Sequence, residues 1–184
     1  MKPFTTYLNE QKAKLVLAEL PYKRTDLDPA MSKDTLDYHY GKLAKGYVDR
    51  YNKGEGDLEF NKAGAFLHNL FFPQFKPYIG ENELGHLASP QGKIADFIDQ
   101  HYDSFNKFKT EVEDVAMKIQ GSGWVYLATD GKIKTIVNHE IRNDVVLLID
   151  WWEHAWALDY QSEKKKYLSN IWNILNWDII NERL

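Results

Sequence analysis

The chain contains no cysteine. Disulfides, thiolate metal sites and cysteine nucleophiles are therefore excluded, and a reducing compartment is allowed without being required. No apolar run is long enough to span a bilayer. The first residues, Met1-Lys2-Pro3-Phe4-Thr5-Thr6, offer neither an apolar signal core nor a small-residue cleavage site. An excess of one charge is missing as well. Lys and Arg number 23 against 27 Asp and Glu, a net charge of −4, which gives no electrostatic reason to expect nucleic acid or an anionic membrane as partner. Internal repeats and low-complexity segments are absent. These absences lead to the expectation of a cytoplasmic, intracellular protein without a signal peptide.

What is present is a chain of 184 residues, enough for one compact domain or two small lobes sharing an interface. Hydrophobic and charged fractions of 43% and 27% are those of an ordinary globular protein. Aromatic content is high at 14%, with six Trp and eleven Tyr, so aromatic packing should dominate part of the core.

Residues 1–18 read as an extension whose apolar Leu15, Val16 and Leu17 have some helical potential. Leu20-Pro21-Tyr22 and Leu27-Asp28-Pro29 follow, each Pro biasing its predecessor away from helix. Ser32 is a candidate N-cap with Asp34 in the first turn. The helix it opens carries Leu36, Tyr40, Leu43 and Tyr47 on one face, with His39 beside that stripe. Asn52 to Asp57 is a loop. A second helix starts near Phe60-Asn61 and is apolar nearly all round, so it should be buried. It contains Gly64 and His68, and Pro73 and Pro77 stop it.

Gly80 to Gly92 is loop-like and marks a lobe boundary, with His86 reading as a loop residue. Two helices follow within residues 93–118, the second capped by Ser104, and His101 suits the end of the first. Trp124 to Ala128 and Ile133 to Val137 flank an Asp130-Gly131 turn, a β-hairpin. Val145 to Ile149 is a buried strand ending at Asp150. One or two helices close the chain. Tyr167, Leu168, Ile171, Trp172, Leu175 and Trp177 form their apolar face, and Lys164-Lys165-Lys166 reads as a solvated run. The expected fold is thus α+β. An N-terminal α-helical hairpin lobe (19–90) precedes a C-terminal α/β lobe (91–184) with a small, about three-stranded antiparallel sheet.

Candidate chemistry centres on Asp150-Trp151-Trp152-Glu153-His154. A carboxylate at a strand end and an imidazole four residues later can reach one point, which suits a metal ion; a local hydrogen bond between them is the alternative. His39 and His68 each read either as core histidines satisfied by a hydrogen bond or as ligands. Together with Asp150 and His154 they would form three imidazoles and one carboxylate, a set suited to iron or manganese with a position left for solvent or substrate.

Several motifs, in order, resemble the iron/manganese superoxide dismutase family across roughly residues 20–184. They are Leu20-Pro21-Tyr22; Ser32 through Tyr38-His39-Tyr40-Gly41-Lys42; Phe60-Asn61 followed by His68; Gly121-Ser122-Gly123-Trp124; Asp150-Trp151-Trp152-Glu153-His154-Ala155; and Trp172-Asn173 with Asn176-Trp177. The resemblance implies that His39, His68, Asp150 and His154 hold one Mn or Fe ion per subunit, and that superoxide is the small-molecule substrate, converted to dioxygen and hydrogen peroxide. It also implies Tyr47 in the access funnel, an aromatic shell including Trp124 and Trp152, and a homodimer or tetramer in which His154 meets Glu153 of the partner subunit. Neither nucleic acid nor membrane is implied as partner.

Two departures from the family pattern stand out. The glutamine that normally bonds metal-bound solvent would come from the second helix, where Gly64 stands, or from the hairpin region, where Asn138-His139-Glu140 stands. The expectation is that His139 replaces it and uses the space left by Gly64; a surface hairpin histidine is the alternative. The family's gateway histidine and its tyrosine partner are replaced by Leu43 and Ala157. Other readings of the chain are a non-enzymatic member of the family, or a mononuclear iron protein with different oxygen chemistry, the latter usually built on two histidines and one carboxylate.

Overall fold

The computed structural model describes residues 14–80 and 89–184. His86, within 81–88, lies outside the described residues, as does the extension before residue 14. Residues 14–20 form no helix or strand, contrary to the helical expectation for Leu15 to Leu17. The physical reason lies in two asparagines. Asn52 bonds both the N–H and the carbonyl of Leu15, each at 2.9 Å. Asn69 takes the Ala18 N–H and donates to the Val16 carbonyl, both at 2.8 Å. Their amides satisfy a backbone that would otherwise need a helix.

Ser32 caps helix α1 (Lys33–Tyr38) by accepting from the Thr35 N–H at 3.1 Å. The helix then widens into a π segment, His39–Ala44, before returning to α2 (Lys45–Lys53). A continuous α-helix was the expectation, and the π segment begins at His39, a placement typical of functional sites. Gly54 ends α2 in the left-handed region at φ 74°. Asp57 then caps α3 (Leu58–Phe71), accepting from the Phe60 N–H at 3.0 Å, so α3 starts two residues earlier than its apolar pattern suggests. α2 and α3 pack as the expected hairpin. Past Phe71 a 3₁₀ turn, Phe72–Gln74, carries Pro73.

In the second lobe, α4 (Lys93–Tyr102) and α5 (Phe105–Met117) are separated by Asp103 in the left-handed region, and Ser104 caps α5. Strands β1 (Gly123–Ala128), β2 (Ile133–Val137) and β3 (Val145–Asp150) form one antiparallel sheet in the order β2-β1-β3. Asp130-Gly131 makes the hairpin turn, with Gly131 at φ 79°. Trp124 pairs with Asp150 across the sheet. Every residue of β1 and β3 is buried, and α3 packs against β3.

The C-terminal region is more broken than expected. It runs as a 3₁₀ turn (Glu153–Ala155), α6 (Ala157–Tyr160), α7 (Lys164–Ile171), a second 3₁₀ turn (Trp172–Ile174) and α8 (Trp177–Asn181). Its apolar face, Tyr167 through Trp177, is buried as read from the sequence. Lys165 and Lys166 are exposed, whereas Lys164 lies 4.9 Å above the Trp156 ring.

Candidate metal centre

Four elements deliver four donor atoms to one point. His39 opens the π segment, His68 stands in the last turns of α3, Asp150 ends β3, and His154 sits in the 3₁₀ turn that follows. One donor atom from each lies within 4.8 Å of all the others. His39 Nε2 is 3.1 Å from His68 Nε2 and 3.1 Å from Asp150 Oδ2. Asp150 Oδ2 is 3.7 Å from His68 Nε2 and 3.5 Å from His154 Nε2. The side chains of His39, His68 and Asp150 are wholly buried, and that of His154 is 14% exposed.

The hydrogen bonds around these atoms point their lone pairs inward. His68 Nδ1 donates to the Gly64 carbonyl at 2.6 Å, and a carbonyl can only accept, so His68 Nε2 is bare. The Asp150 carboxylate accepts the Trp152 N–H through Oδ1 at 2.8 Å. Its Oδ2 has no hydrogen-bond partner, and neither has His154 Nε2. The Tyr167 hydroxyl donates to the Asp150 backbone carbonyl at 3.0 Å and holds the strand end in place.

Protonation states match this orientation. Burial pulls His39 down to about 4, partly offset by Asp150. Burial, reinforced by His39, holds His68 well below the ordinary histidine value. For Asp150, burial acts to raise the carboxyl, but contact with His154 and His39 outweighs it and keeps the group well below the usual carboxylate range. Two neutral imidazoles and an anionic oxygen thus face a third imidazole in a space with little water. Such a set leaves its charge and lone pairs unpaired unless a cation sits among them. Three imidazole nitrogens and one carboxylate oxygen, all within 4.8 Å of one another, are a donor set of the kind that would hold a single first-row ion. The residues fit the ion that the sequence implied.

An aromatic shell surrounds the four. Trp124 meets His68 edge-on at 5.1 Å between ring centroids, and Tyr47 lies 5.3 Å from the same ring. His139, expected from the hairpin region, is 8% exposed and so is no surface histidine. Its ring stacks on Trp152 at 4.6 Å and meets Tyr47 at 4.8 Å. Trp124 Nε1 donates to His139 Nδ1 at 3.2 Å, which places the His139 proton on Nε2. That Nε2 is buried and has no partner. Burial lowers His139 to about 4, so it is a neutral donor at physiological pH.

Gly64 provides the room for this arrangement. A Cβ at residue 64 would come 2.9 Å from Tyr47 Cγ and 3.1 Å from His139 Cδ2. Glu153 is exposed, while Leu43 and Ala157 are partly buried. His101 lies apart from the centre, in the last turn of α4, its ring tilted against that of Phe97 at 4.6 Å. Phe60, 4.7 Å from the His139 ring, and Tyr167 escaped the sequence reading as parts of this shell. Phe60 stood in the sequence only as part of the Phe60-Asn61 motif and Tyr167 only as an aromatic in an apolar stripe, which core packing explains equally well.

The chain is similar to known proteins of one family. The C-terminal domain model of the iron/manganese superoxide dismutases matches residues 90–183, and the alpha-hairpin domain model of that family matches residues 14–57. A protein of Porphyromonas gingivalis named superoxide dismutase (Mn/Fe) is 37% identical, covering 91% of this chain and 97% of the relative. Proteins named superoxide dismutase (Fe) from Bacteroides fragilis and Pyrobaculum aerophilum are each 33% identical over 91% of this chain, and over 98% and 90% of their own lengths. The chain belongs to the iron/manganese superoxide dismutase family.

Proposed function

We propose that the chain is a superoxide dismutase whose single manganese or iron ion is held by His39, His68, Asp150 and His154. The observation that carries this reading is the convergence of their donor atoms within 4.8 Å, with Asp150 Oδ2 and His154 Nε2 lacking any hydrogen-bond partner. When bound, the ion supplies one-electron chemistry in two oxidation states. In the net reaction one superoxide gives up its extra electron and leaves as dioxygen. Another takes that electron with two protons and leaves as hydrogen peroxide.

The chain's own residues bind, orient and supply protons. His139 offers its Nε2–H as the donor to solvent at the centre, in place of the family's glutamine, and Gly64 leaves it room. Tyr47, pushed up to about 12 by burial and then by the Asp150 charge, keeps its hydroxyl proton at neutral pH and can present it to an incoming oxygen anion. Trp124 fixes the His139 tautomer. Trp124 and Trp152 also keep water away from the ligands, and Trp152 holds the His139 ring flat. Without a histidine at Leu43 or a tyrosine at Ala157, proton supply rests on Tyr47 and His139.

The reading extends to assembly and location. Glu153 is exposed beside the partly exposed His154, and Leu158 on α6 is 58% exposed. These features support a homodimer, or a larger tetramer, in which His154 meets Glu153 of the partner subunit; light scattering after gel filtration tests it. The division into lobes at 19–90 and 91–184 belongs to this reading; the two domain models cover residues 14–57 and 90–183. A cytoplasmic location is the matching proposal, checked by cell fractionation. For the activity, the test is rate together with stoichiometry: metal-loaded protein should speed superoxide decay well above its spontaneous rate and yield one hydrogen peroxide for every two superoxide ions consumed, whereas a superoxide reductase would yield one for each.

A further inference from the structure

Among the described residues the sheet has three strands, and β3 is an edge. Side chains occupy that edge in place of a fourth strand. Arg183 Nη1 donates to the Val146 carbonyl at 3.3 Å. The Gln74 amide accepts from the Leu148 N–H at 3.2 Å and donates to the Leu148 carbonyl. Tyr167 serves the Asp150 carbonyl. The three residues alternate along the strand, as groups on one edge must.

Arg183 reaches further than its neighbours on this edge. Its Nη1 also lies 3.2 Å from Gln74 Oε1, and its Nη2 donates to the Leu70 carbonyl at 2.6 Å. Leu70 is two residues past His68, in the last turn of the same helix. Val146 is four residues before Asp150. One planar guanidinium therefore bonds the end of the helix bearing His68 to the strand bearing Asp150, whose donor atoms stand 3.7 Å apart. Its contacts are neutral oxygens. Burial lowers it to about 10, so it remains charged at neutral pH.

We propose that Arg183, acting with Gln74, is a positioning residue of the metal centre: it sets the spacing of His68 and Asp150 and thereby how firmly the ion is held. This rests on the metal reading above. A fork with several donors in one plane suits the task, and a lysine would not reproduce it.

The test is the rate at which the full-length protein, loaded with manganese, releases it into excess chelator well below its unfolding temperature. Arg183→Met should release the ion ~10–100-fold faster than the unmodified protein, the cost typical of losing a group that orients ligands. Arg183→Lys should fall between the two. Ile180→Val, which trims a buried residue of α8 outside the clamp, should lower the unfolding midpoint yet release manganese at the original rate. Release from Arg183→Met at the original rate overturns the proposal, and so does equal acceleration by Ile180→Val. If Arg183→Met does not fold, Arg183→Lys decides on the same criterion. Failure of the unmodified protein to retain manganese or iron is a separate result, and it overturns the metal reading itself.

Discussion

Gly64 and His139 share one space: a Cβ on residue 64 would stand 3.1 Å from His139 Cδ2 and 2.9 Å from Tyr47 Cγ. Gly64→Ala therefore forces both rings to move. Helix propensity favours alanine by roughly 0.5–1 kcal/mol, while overpacking typically costs 1–3 kcal/mol. The expected outcome is a net loss of about 1 kcal/mol, lowering the unfolding midpoint by roughly 2–4 °C for a chain of this size, together with a fall in dismutation. A more stable, equally active Gly64→Ala protein would show that the two rings are not confined.

His139→Ala separates solvent orientation from metal retention. No metal-binding atom is removed, so metal content measured by elemental analysis should stay near that of the unmodified protein. Dismutation should drop about tenfold or more, or its preference between Mn and Fe should change. Unchanged rates with both metals would reject the role given to the Nε2–H.

Asp150→Asn tests the ligand set. It removes the one anionic donor while leaving an amide of the same shape. Affinity should fall by more than about 100-fold, beyond the range for groups that merely orient ligands. Manganese should raise the unfolding midpoint of the unmodified protein, because an ion that binds only the folded state stabilises it. The same addition should leave Asp150→Asn unmoved. A midpoint that rises equally in both would place the ion elsewhere.

Tyr102 is one of the buried phenols through which alkali should destabilise the fold. Its hydroxyl donates to the Gly131 carbonyl at 2.6 Å, and burial, followed by the charge of Glu111, pushes it up to about 12. A phenol whose value is raised in the folded state contributes stability that is intact below the unfolded value, about 10, and is lost as pH climbs towards 12. Thermal midpoints across pH 10 to 12 should fall less steeply for Tyr102→Phe than for the unmodified protein. Parallel profiles would contradict this assignment.

Local signals were legible in the sequence. Ser32 and Ser104 cap the helices expected of them, Asp130-Gly131 turns the hairpin, and the β-branched run before Asp150 is a buried strand. Each depends on neighbours within a few residues. The irregular course of residues 14–20 was not legible, because the asparagines that hold it are 37 to 53 residues away in the chain. Nor was the π segment that begins at His39. His39, His68 and His154 were each ambiguous alone and became a site only through their order and family resemblance. Gln74 and Arg183 gave no sign, since a glutamine in Phe72-Pro73-Gln74-Phe75 and an arginine near the end of a helix suit an ordinary surface as well. What they do depends on an edge strand that only the assembled fold provides.

The central claim is most directly tested by measuring superoxide dismutation after reconstituting the protein separately with manganese and with iron, with metal content determined in each preparation. Dismutation is expected with at least one ion at one equivalent per chain, and Asp150→Asn should abolish it. Stoichiometrically loaded protein that leaves superoxide untouched with either ion would contradict it. That result would mean that Leu43 and Ala157, in place of the gateway pair, mark a metal-binding member of the family that does not turn superoxide over.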